Sequence, residues 1–291
     1  MKLKNKVAVI TGAGRGIGKS VAEGFAQEGA DVALIARTEA ELNRTAETIR
    51  AIGRRVFFIQ ADLSNPASVE NFVKATLNEF GQIDILINNA GIQGPIGILA
   101  ENNSKEWTHT ISVNLLGTFF CVKAVLPHMI QRRQGKIINL SGGGATAPRP
   151  NFSAYAASKA AVVRLTETVA EEVKPFNVQV NAIAPGAINT RMLEEVLAAG
   201  DSAGEVALSQ AIRQKEIGGD SLDSVVSLAI FLASEESGSL TGKLISAQHD
   251  PWREWAGKAD ELNATPLYTI RRLDPFTIKP LLKELGLETG G

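Results

Sequence analysis

Val7-Ala8-Val9-Ile10-Thr11-Gly12-Ala13-Gly14-Arg15-Gly16-Ile17-Gly18 begins as a short apolar run, breaks into glycines and passes directly into an amphipathic stretch. The run predicts a buried strand, and the stretch after it a helix. Glycines at such a junction let the backbone turn tightly and approach a pyrophosphate, which the free amides of the helix N-terminus then hold. The spacing is G-x-x-x-G-x-G on Gly12, Gly16 and Gly18. The G-x-G-x-x-G frame beginning Gly12, Gly14 fails because Ile17 occupies its last position. Between a first strand and a first helix, this loop predicts dinucleotide binding.

Outward from this loop, short β-branched runs alternate with longer amphipathic stretches, the pattern of a parallel sheet covered by helices. Strands are predicted at 7–10, 32–36, 56–60, 83–87, 136–140, 178–183 and 243–246, and helices at 17–29, 39–52, 66–80, 104–132 (in two segments), 154–174 and 221–234. Ser64, with Pro66 after it, and Ser104 are the expected helix caps. The fold class is therefore α/β: a doubly wound, seven-stranded parallel sheet with helices on both faces, binding its ligand at the carboxyl ends of the strands. No Pro- or Ser-rich linker divides the chain before residue 247, so residues 1–247 read as one domain. Residues 248–291 hold two of the three Trp residues and are broken by Pro251, Pro266, Pro275 and Pro280. They read as a C-terminal extension with one short helix near 280–285, packing on the domain or on a partner subunit.

Composition narrows the function. In 291 residues, 30 Lys+Arg against 31 Asp+Glu leave a net charge of −1, which gives no broad field for nucleic acid or an anionic membrane. No run of ~20 apolar residues is visible. The basic start, Lys2, Lys4 and Lys6, is followed only by a strand-length apolar run, so it does not read as an export signal. A single cysteine, Cys121, excludes an internal disulfide and fits a reducing cytoplasm. His109, His128 and His249 show no ligand-like spacing, so no metal site is expected.

Further motifs follow in order: Asn88-Asn89-Ala90-Gly91 after the fourth strand, Asn114 on a later helix, Tyr155-x-x-x-Lys159, and Pro185-Gly186 after the sixth strand. With the glycine loop, they make the chain resemble the short-chain dehydrogenase/reductase family over about residues 5–246. The resemblance implies a Rossmann-like fold and a nicotinamide cofactor. It assigns the cofactor to Gly12, Gly14, Arg15, Gly16, Ile17 and Gly18 in the loop, to Asp62 and Leu63 along the adenine, to Asn88, Ala90 and Gly91, and to Pro185, Gly186, Ile188 and Thr190 near the carboxamide.

Charge bears on which cofactor is preferred. An NAD-selective site usually carries a carboxylate at the end of the second strand, where it binds the ribose 2′-hydroxyl. Here Ala36 stands there and Arg37 follows, while Asp31 lies at the opposite end. With Arg15 as a second cation, the expectation is NADP(H) over NAD(H). The same arginines can also be ordinary solvated residues.

Tyr155 and Lys159, four apart on a helix, share one face. A cation so placed favours the tyrosinate and lowers a pKa normally near ~10, suiting the phenol to general acid-base work. By resemblance, Lys159 also holds the nicotinamide ribose and Asn114 anchors a water on the proton path. One departure limits the carry-over. The family serine that binds the substrate oxygen lies thirteen residues before the tyrosine, and that position is Gly142. Three replacements are open: neighbouring Ser141 through a shift of the glycine loop, a backbone amide, or the substrate itself.

Residues 192–217 alternate small and apolar side chains, as a substrate lid does, and a plain pair of amphipathic helices has the same composition. Gln93, Gly94, Pro95, Phe152 and Met192 are the expected pocket lining. The leading expectation is a cytoplasmic NADP-dependent oxidoreductase interconverting a secondary alcohol and a ketone, with a small-molecule carbonyl or alcohol substrate. A nucleotide-binding sensor with weakened catalysis, and an epimerase or lyase using the cofactor transiently, stay open. Family members commonly pair through the helices that correspond to 104–132 and 154–174, so a homodimer or homotetramer is expected.

Overall fold

In the computed structural model, which describes residues 1–284, seven strands pair in parallel in the order β3-β2-β1-β4-β5-β6-β7. They are β1 (Val7–Thr11), β2 (Asp31–Ala36), β3 (Val56–Gln60), β4 (Ile85–Asn88), β5 (Gly135–Leu140), β6 (Val178–Ala184) and β7 (Leu244–Ser246). All residues of β1 and β4 are buried, as expected for strands covered on both faces. Ala8 pairs with Val32 of β2 on one side and with Ile85 of β4 on the other, so strand order reverses at β1. A crevice opens at such a reversal, beyond the strands' carboxyl ends. This is the doubly wound Rossmann-like sheet that the alternation of runs predicts.

The helices are α1 (Gly16–Gln27), α2 (Glu39–Ala51), α3 (Pro66–Phe80), α4 (Ser104–Ile111), α5 (Gly117–Arg132), α6 (Ser153–Val173), α7 (Arg191–Ala199), α8 (Glu205–Ile217), α9 (Leu222–Ala233), α10 (Ala259–Asn263) and α11 (Pro275–Glu284). One apolar layer joins Val21 and Phe25 of α1 to Val225 and Leu228 of α9, and a second joins Phe72 of α3, Val125 of α5 and Val169 of α6. Two cap expectations are displaced by one residue. Asn65, not Ser64, caps α3 by accepting from the amides of Ala67 and Ser68, and Asn103, not Ser104, caps α4 by accepting from those of Lys105 and Glu106. An Asn side chain reaches the first-turn amides as well as a Ser hydroxyl does.

Between α4 and α5 the chain stays helical through one π turn, Ser112–Leu116, instead of breaking into two helices. The whole stretch Ser104–Arg132, with a mean hydropathy of 1.5 over its most apolar window, is apolar and long enough to cross a membrane. Its Cys121, Val122, Val125 and Met129 are buried in the second apolar layer, so it is a core helix.

Beyond β7 the chain folds back on the first layer. Trp252 is 4% exposed, lies 5.9 Å from the Phe231 ring and donates its indole N–H to the Ala247 carbonyl. Trp255 packs on Tyr268 at 4.6 Å. The Tyr268 carbonyl accepts from the Leu244 amide of β7 at 2.7 Å, and Lys243 Nζ donates to the carbonyls of Thr265 and Leu267. The Ile270 amide donates to Glu167 Oε1 on α6 at 2.6 Å. The helix expected near 280–285 is α11, which starts five residues earlier, and Leu285 lies outside the described residues.

Candidate active site

One cleft of about 1440 Å³ runs along the carboxyl ends of the strands. Its glycine-rich end is fixed from below by the turn after β4. Thr11 Oγ1 accepts from the amides of Asn89 and Ala90, and Asn89 Nδ2 donates to the carbonyls of Thr11 and Gly12. Gly12 has φ +64°, and a Cβ there would come within 2.9 Å of Ala90 Cα, so the turn requires glycine. A Cβ on Gly18 would lie 2.4 Å from the Gly12 carbonyl oxygen, so that glycine lets α1 approach the loop.

Arg15 is the N-cap of α1 and makes no side-chain cap bond, while Gly16 and Ile17 of the first turn line the cleft. Uncapped amides at a helix start, facing a cleft of this volume across a glycine loop, fit the pyrophosphate of a dinucleotide. Gly12, Gly14, Arg15, Gly16, Ile17, Arg37, Asp62, Leu63, Ala90 and Gly91 all line this end. Gly18 and Asn88 do not. Asn88 is buried, with Nδ2 donating to Asn139 Oδ1 on β5, and the asparagine at the cleft is Asn89.

The two arginines differ. Arg15 lies 3.6 Å from Glu41, whereas Arg37 makes no ion pair among the described residues. Asp62 Oδ1 accepts from the amide and hydroxyl of Ser64. Burial opposes its ionisation, but the Ser64 bonds and the Arg37 charge outweigh that and hold the carboxyl below its ordinary value.

At the middle of the cleft, α6 brings in Tyr155, 7% exposed, and Lys159, 4% exposed. Lys159 Nζ donates to the Leu140 carbonyl at 2.8 Å and lies 5.7 Å from the Tyr155 ring centroid. Burial pushes Lys159 down to about 8. Burial also raises Tyr155 above the ordinary phenol value, offset in part by Arg149. This differs from the expected lowering by Lys159: with both groups desolvated, the larger effect in the chain alone is the cost of forming a buried tyrosinate.

Asn114 sits in the π turn, a distortion that often marks functional positions. Its side chain is bound on every side: Oδ1 accepts from the Ile92 amide, and Nδ2 donates to the Ile92 carbonyl and to Ser158 Oγ. Its carbonyl accepts from Thr118 Oγ1. Asn114 therefore fixes the turn after β4 against α6. Gly91 passes between them, a Cβ there lying 3.3 Å from Asn114 Oδ1 and 3.5 Å from Lys159 Nζ.

Gly142 faces the tyrosine, since a Cβ on it would stand 2.3 Å from Tyr155 Oη. Ser141 also lines the cleft, and its Oγ is buried with no partner among the described residues. Gln93 Nε2, likewise in the cleft wall, is buried and unpartnered there.

The exit loop after β6 closes the far side. Pro185, Gly186, Ile188 and Thr190 line the cleft, and Thr190 Cγ2 lies 3.7 Å from where a Gly16 Cβ would be. Gln248 Nε2 ties the loop by donating to the carbonyls of Pro185 and Ser221. The 192–217 stretch forms α7 and α8, whose Leu193, Val196 and Ala211 pack with Phe152 and Tyr155 over the substrate end. Met192 lines the cleft, whereas Gly94 and Pro95 do not, and Phe152 packs beneath it. Among the lining residues that escape motif reading, two carry titratable or charged groups from unexpected segments. His249 enters from the extension, and Arg149 comes from the loop before α6, its guanidinium 3.9 Å from the Phe152 ring centroid and 5.6 Å from that of Tyr155. The only sequence signal for Arg149 is its place between Pro148 and Pro150.

Residues 6–200 match the short chain dehydrogenase family. The chain belongs to the short-chain dehydrogenase/reductase family. It is 36% identical over 250 residues, 84% of this chain and 96% of the relative, to the (2S)-[(R)-hydroxy(phenyl)methyl]succinyl-CoA dehydrogenase subunit BbsD of Thauera aromatica. It is 37% identical over 242 residues, 83% of this chain and 96% of the relative, to the 3-oxoacyl-[acyl-carrier-protein] reductase FabG of Staphylococcus epidermidis. Among solved structures, NAD⁺-bound xylitol dehydrogenase superposes with a TM-score of 0.81 at 28% identity, covering 86% of this chain and all of the other. Levodione reductase superposes with a TM-score of 0.78 at 29% identity, covering 84% and 97%. As a short-chain dehydrogenase/reductase, the protein is an oxidoreductase of the CH–OH/C=O class that uses a nicotinamide nucleotide and a small-molecule substrate.

Proposed function

We propose that this short-chain dehydrogenase/reductase interconverts a secondary alcohol and a ketone and prefers NADP(H). The observation that carries the reading is Tyr155 and Lys159 lining one cleft with an uncapped, glycine-lined helix start. The cofactor supplies or accepts the hydride. Tyr155 Oη exchanges the proton with the substrate oxygen, and Lys159 Nζ, anchored on the Leu140 carbonyl, holds positive charge beside it. Asn114 keeps the turn after β4 and α6 in register, and Ser141 Oγ is a free hydroxyl at the same site. The residues proposed to hold the dinucleotide are Gly12, Gly14, Arg15, Gly16, Ile17, Arg37, Asp62, Leu63, Ala90, Gly91, Pro185, Gly186, Ile188 and Thr190, with Gly18 and Asn88 supporting them from beneath.

The NADP(H) preference rests on Arg37, which is without an ion-pair partner among the described residues, and on the absence of a carboxylate at the end of β2. We also read residues 248–291 as an extension of the 1–247 domain, the chain as cytoplasmic, and its assembly as a dimer or tetramer through the helices at 104–132 and 154–174, where Leu116 of the π turn and Phe119 of α5 are exposed at 40% each. The test is turnover of NADPH with a carbonyl panel, and of NADP⁺ with an alcohol panel, against Tyr155→Phe. Cofactor binding without turnover would favour a sensor, since Gly142 removes a hydroxyl donor. Product without net cofactor change would favour an epimerase or lyase.

A further inference from the structure

The substrate end of the cleft holds a charge that the chain does not balance. Arg149 is half-buried in the cleft wall. Its guanidinium stacks on Phe152 and faces Tyr155, and among the described residues it makes neither a salt bridge nor a hydrogen bond. Of the other cations at this end, Arg191 pairs with Glu195 at 3.4 Å and Lys215 with Glu194 at 3.3 Å, while Lys159 donates to the Leu140 carbonyl and serves Tyr155 in the reading above. Glu205, a further carboxylate of this wall, is exposed and makes no ion pair with Arg149. A partly desolvated guanidinium without a counter-ion is unfavourable unless a ligand supplies one.

Two further features of the same cleft point the same way. Gln93 Nε2 lines this cleft as a buried donor without an acceptor. Gly142 leaves no side-chain hydroxyl at the position facing Tyr155, and Arg149 Nη1 lies 3.8 Å from where a Cβ on Gly143 would be. A charged donor thus stands beside a position that lacks a neutral one. Pro148 and Pro150 restrict the backbone on both sides of Arg149.

We propose that Arg149, with Gln93 as a second donor, forms an anion subsite, and that the alcohol or ketone turned over here is a small hydroxy- or oxo-carboxylate. The planar fork of a guanidinium matches the two oxygens of a carboxylate. With Lys159 committed to Tyr155 and the cofactor, Arg149 and one amide are left to balance a single negative charge, whereas a phosphate monoester carries nearly two.

The inference rests on the oxidoreductase reading of the cleft, so binding and turnover are measured separately. The binding probe is malonate, with malonamide as its neutral counterpart, titrated calorimetrically into the protein with saturating NADP⁺. Malonate should bind and malonamide should not. Arg149→Met should weaken malonate by roughly 100-fold, the size expected when one partner of a desolvated charge pair is removed. Arg149→Lys, which keeps the charge and loses the fork, should fall between. Equal malonate affinity in wild type and Arg149→Met, or no binding to either while NADP⁺ still binds, overturns the subsite.

Turnover is then compared for 2- and 3-hydroxybutyrate and their methyl esters. The acids should be preferred, with the acid-to-ester ratio of kcat/KM collapsing in Arg149→Met mainly through KM. Esters turned over as well as acids by the wild type also overturn the subsite. Arg149-dependent malonate binding without oxidation of any panel member leaves the subsite standing and counts instead against the proposed NADP-dependent turnover of a secondary alcohol.

Discussion

The carbon that any side chain would add at Gly142 falls 2.3 Å from the phenolic oxygen of Tyr155. A contact that short is impossible, so a larger residue must move either the loop or the phenol. The phenol is the end of a side chain, whereas Ser141, next along the loop, is held by its amide to the Ile183 carbonyl at 2.8 Å. Gly142→Ser should therefore displace Tyr155 and lower kcat by about 100-fold, the usual penalty for a misplacement near 1 Å. Steady-state kinetics, with NADPH binding as the folding check, tests this. A gain in turnover would mean that the loop yields and the serine acts as a donor.

Lys159 should impose an alkaline limit on cofactor binding. Burial brings it down to about 8, so its charge is lost as pH rises through that value. NADPH affinity should decline above pH about 8, and Lys159→Met should be weak and flat across the same range. Stability runs the other way. Because the folded pKa lies below the unfolded value of ~10.4, the unfolded chain binds the extra proton between them, and this group's contribution to stability rises with pH across that window. The stability that Lys159→Met gains at neutral pH from losing the buried charge should accordingly shrink as pH rises, in denaturant titrations at stepped pH.

Cofactor choice should depend on Arg37 more than on Arg15, which already pairs with Glu41 at 3.6 Å. Arg37→Ala should weaken NADPH by about 10- to 100-fold, the range for losing a hydrogen bond to a charged group, and NADH much less. Arg15→Ala should cost less. Glu41→Gln should improve NADPH binding by freeing Arg15. Equal losses for both cofactors in Arg37→Ala would remove the preference.

The aromatic start of the extension should matter for folding. Trp252 is buried against Phe231 with its indole N–H bonded to Ala247. Trp252→Ala should cost about 3–5 kcal/mol, the usual range for emptying a buried Trp site. Thermal or denaturant unfolding measures it. A loss below 1 kcal/mol, on the order of one typical hydrogen bond, would show that the site collapses around the smaller side chain.

Most of the sheet is legible because strands buried on both faces, such as β1 and β4, write themselves as uninterrupted apolar runs, and even the half-buried edge strand β3 appears at its predicted bounds. Helix starts are less so. Asn65 and Asn103 each stand beside a serine that caps equally well by residue type, and only the fold decides between neighbours. The π turn at Ser112–Leu116 has no compositional mark, so the continuous helical stretch that carries Asn114 reads as two. In the site, the Asn88-Asn89 pair shows the same ambiguity: β4 ends between them, sending the first side chain into the sheet and leaving the second at the loop. Arg149 is invisible for a different reason. It acquires meaning only when α6 and the loop after β5 bring it against Phe152 and Tyr155, a tertiary event without a local pattern.

The bonds from Leu244 and Lys243 to the carbonyls of Thr265, Leu267 and Tyr268 have a consequence for how copies of this chain meet. β7 is the last strand of an open sheet, and an unpaired last strand is a template on which another chain can add. Here it is only three residues long, and its outer side is occupied by the molecule's own returning segment, held in turn to α6 through Ile270 and Glu167. The extension thereby acts as a built-in stopper against sheet-to-sheet growth at that margin, and β3 is left as the sheet's other edge.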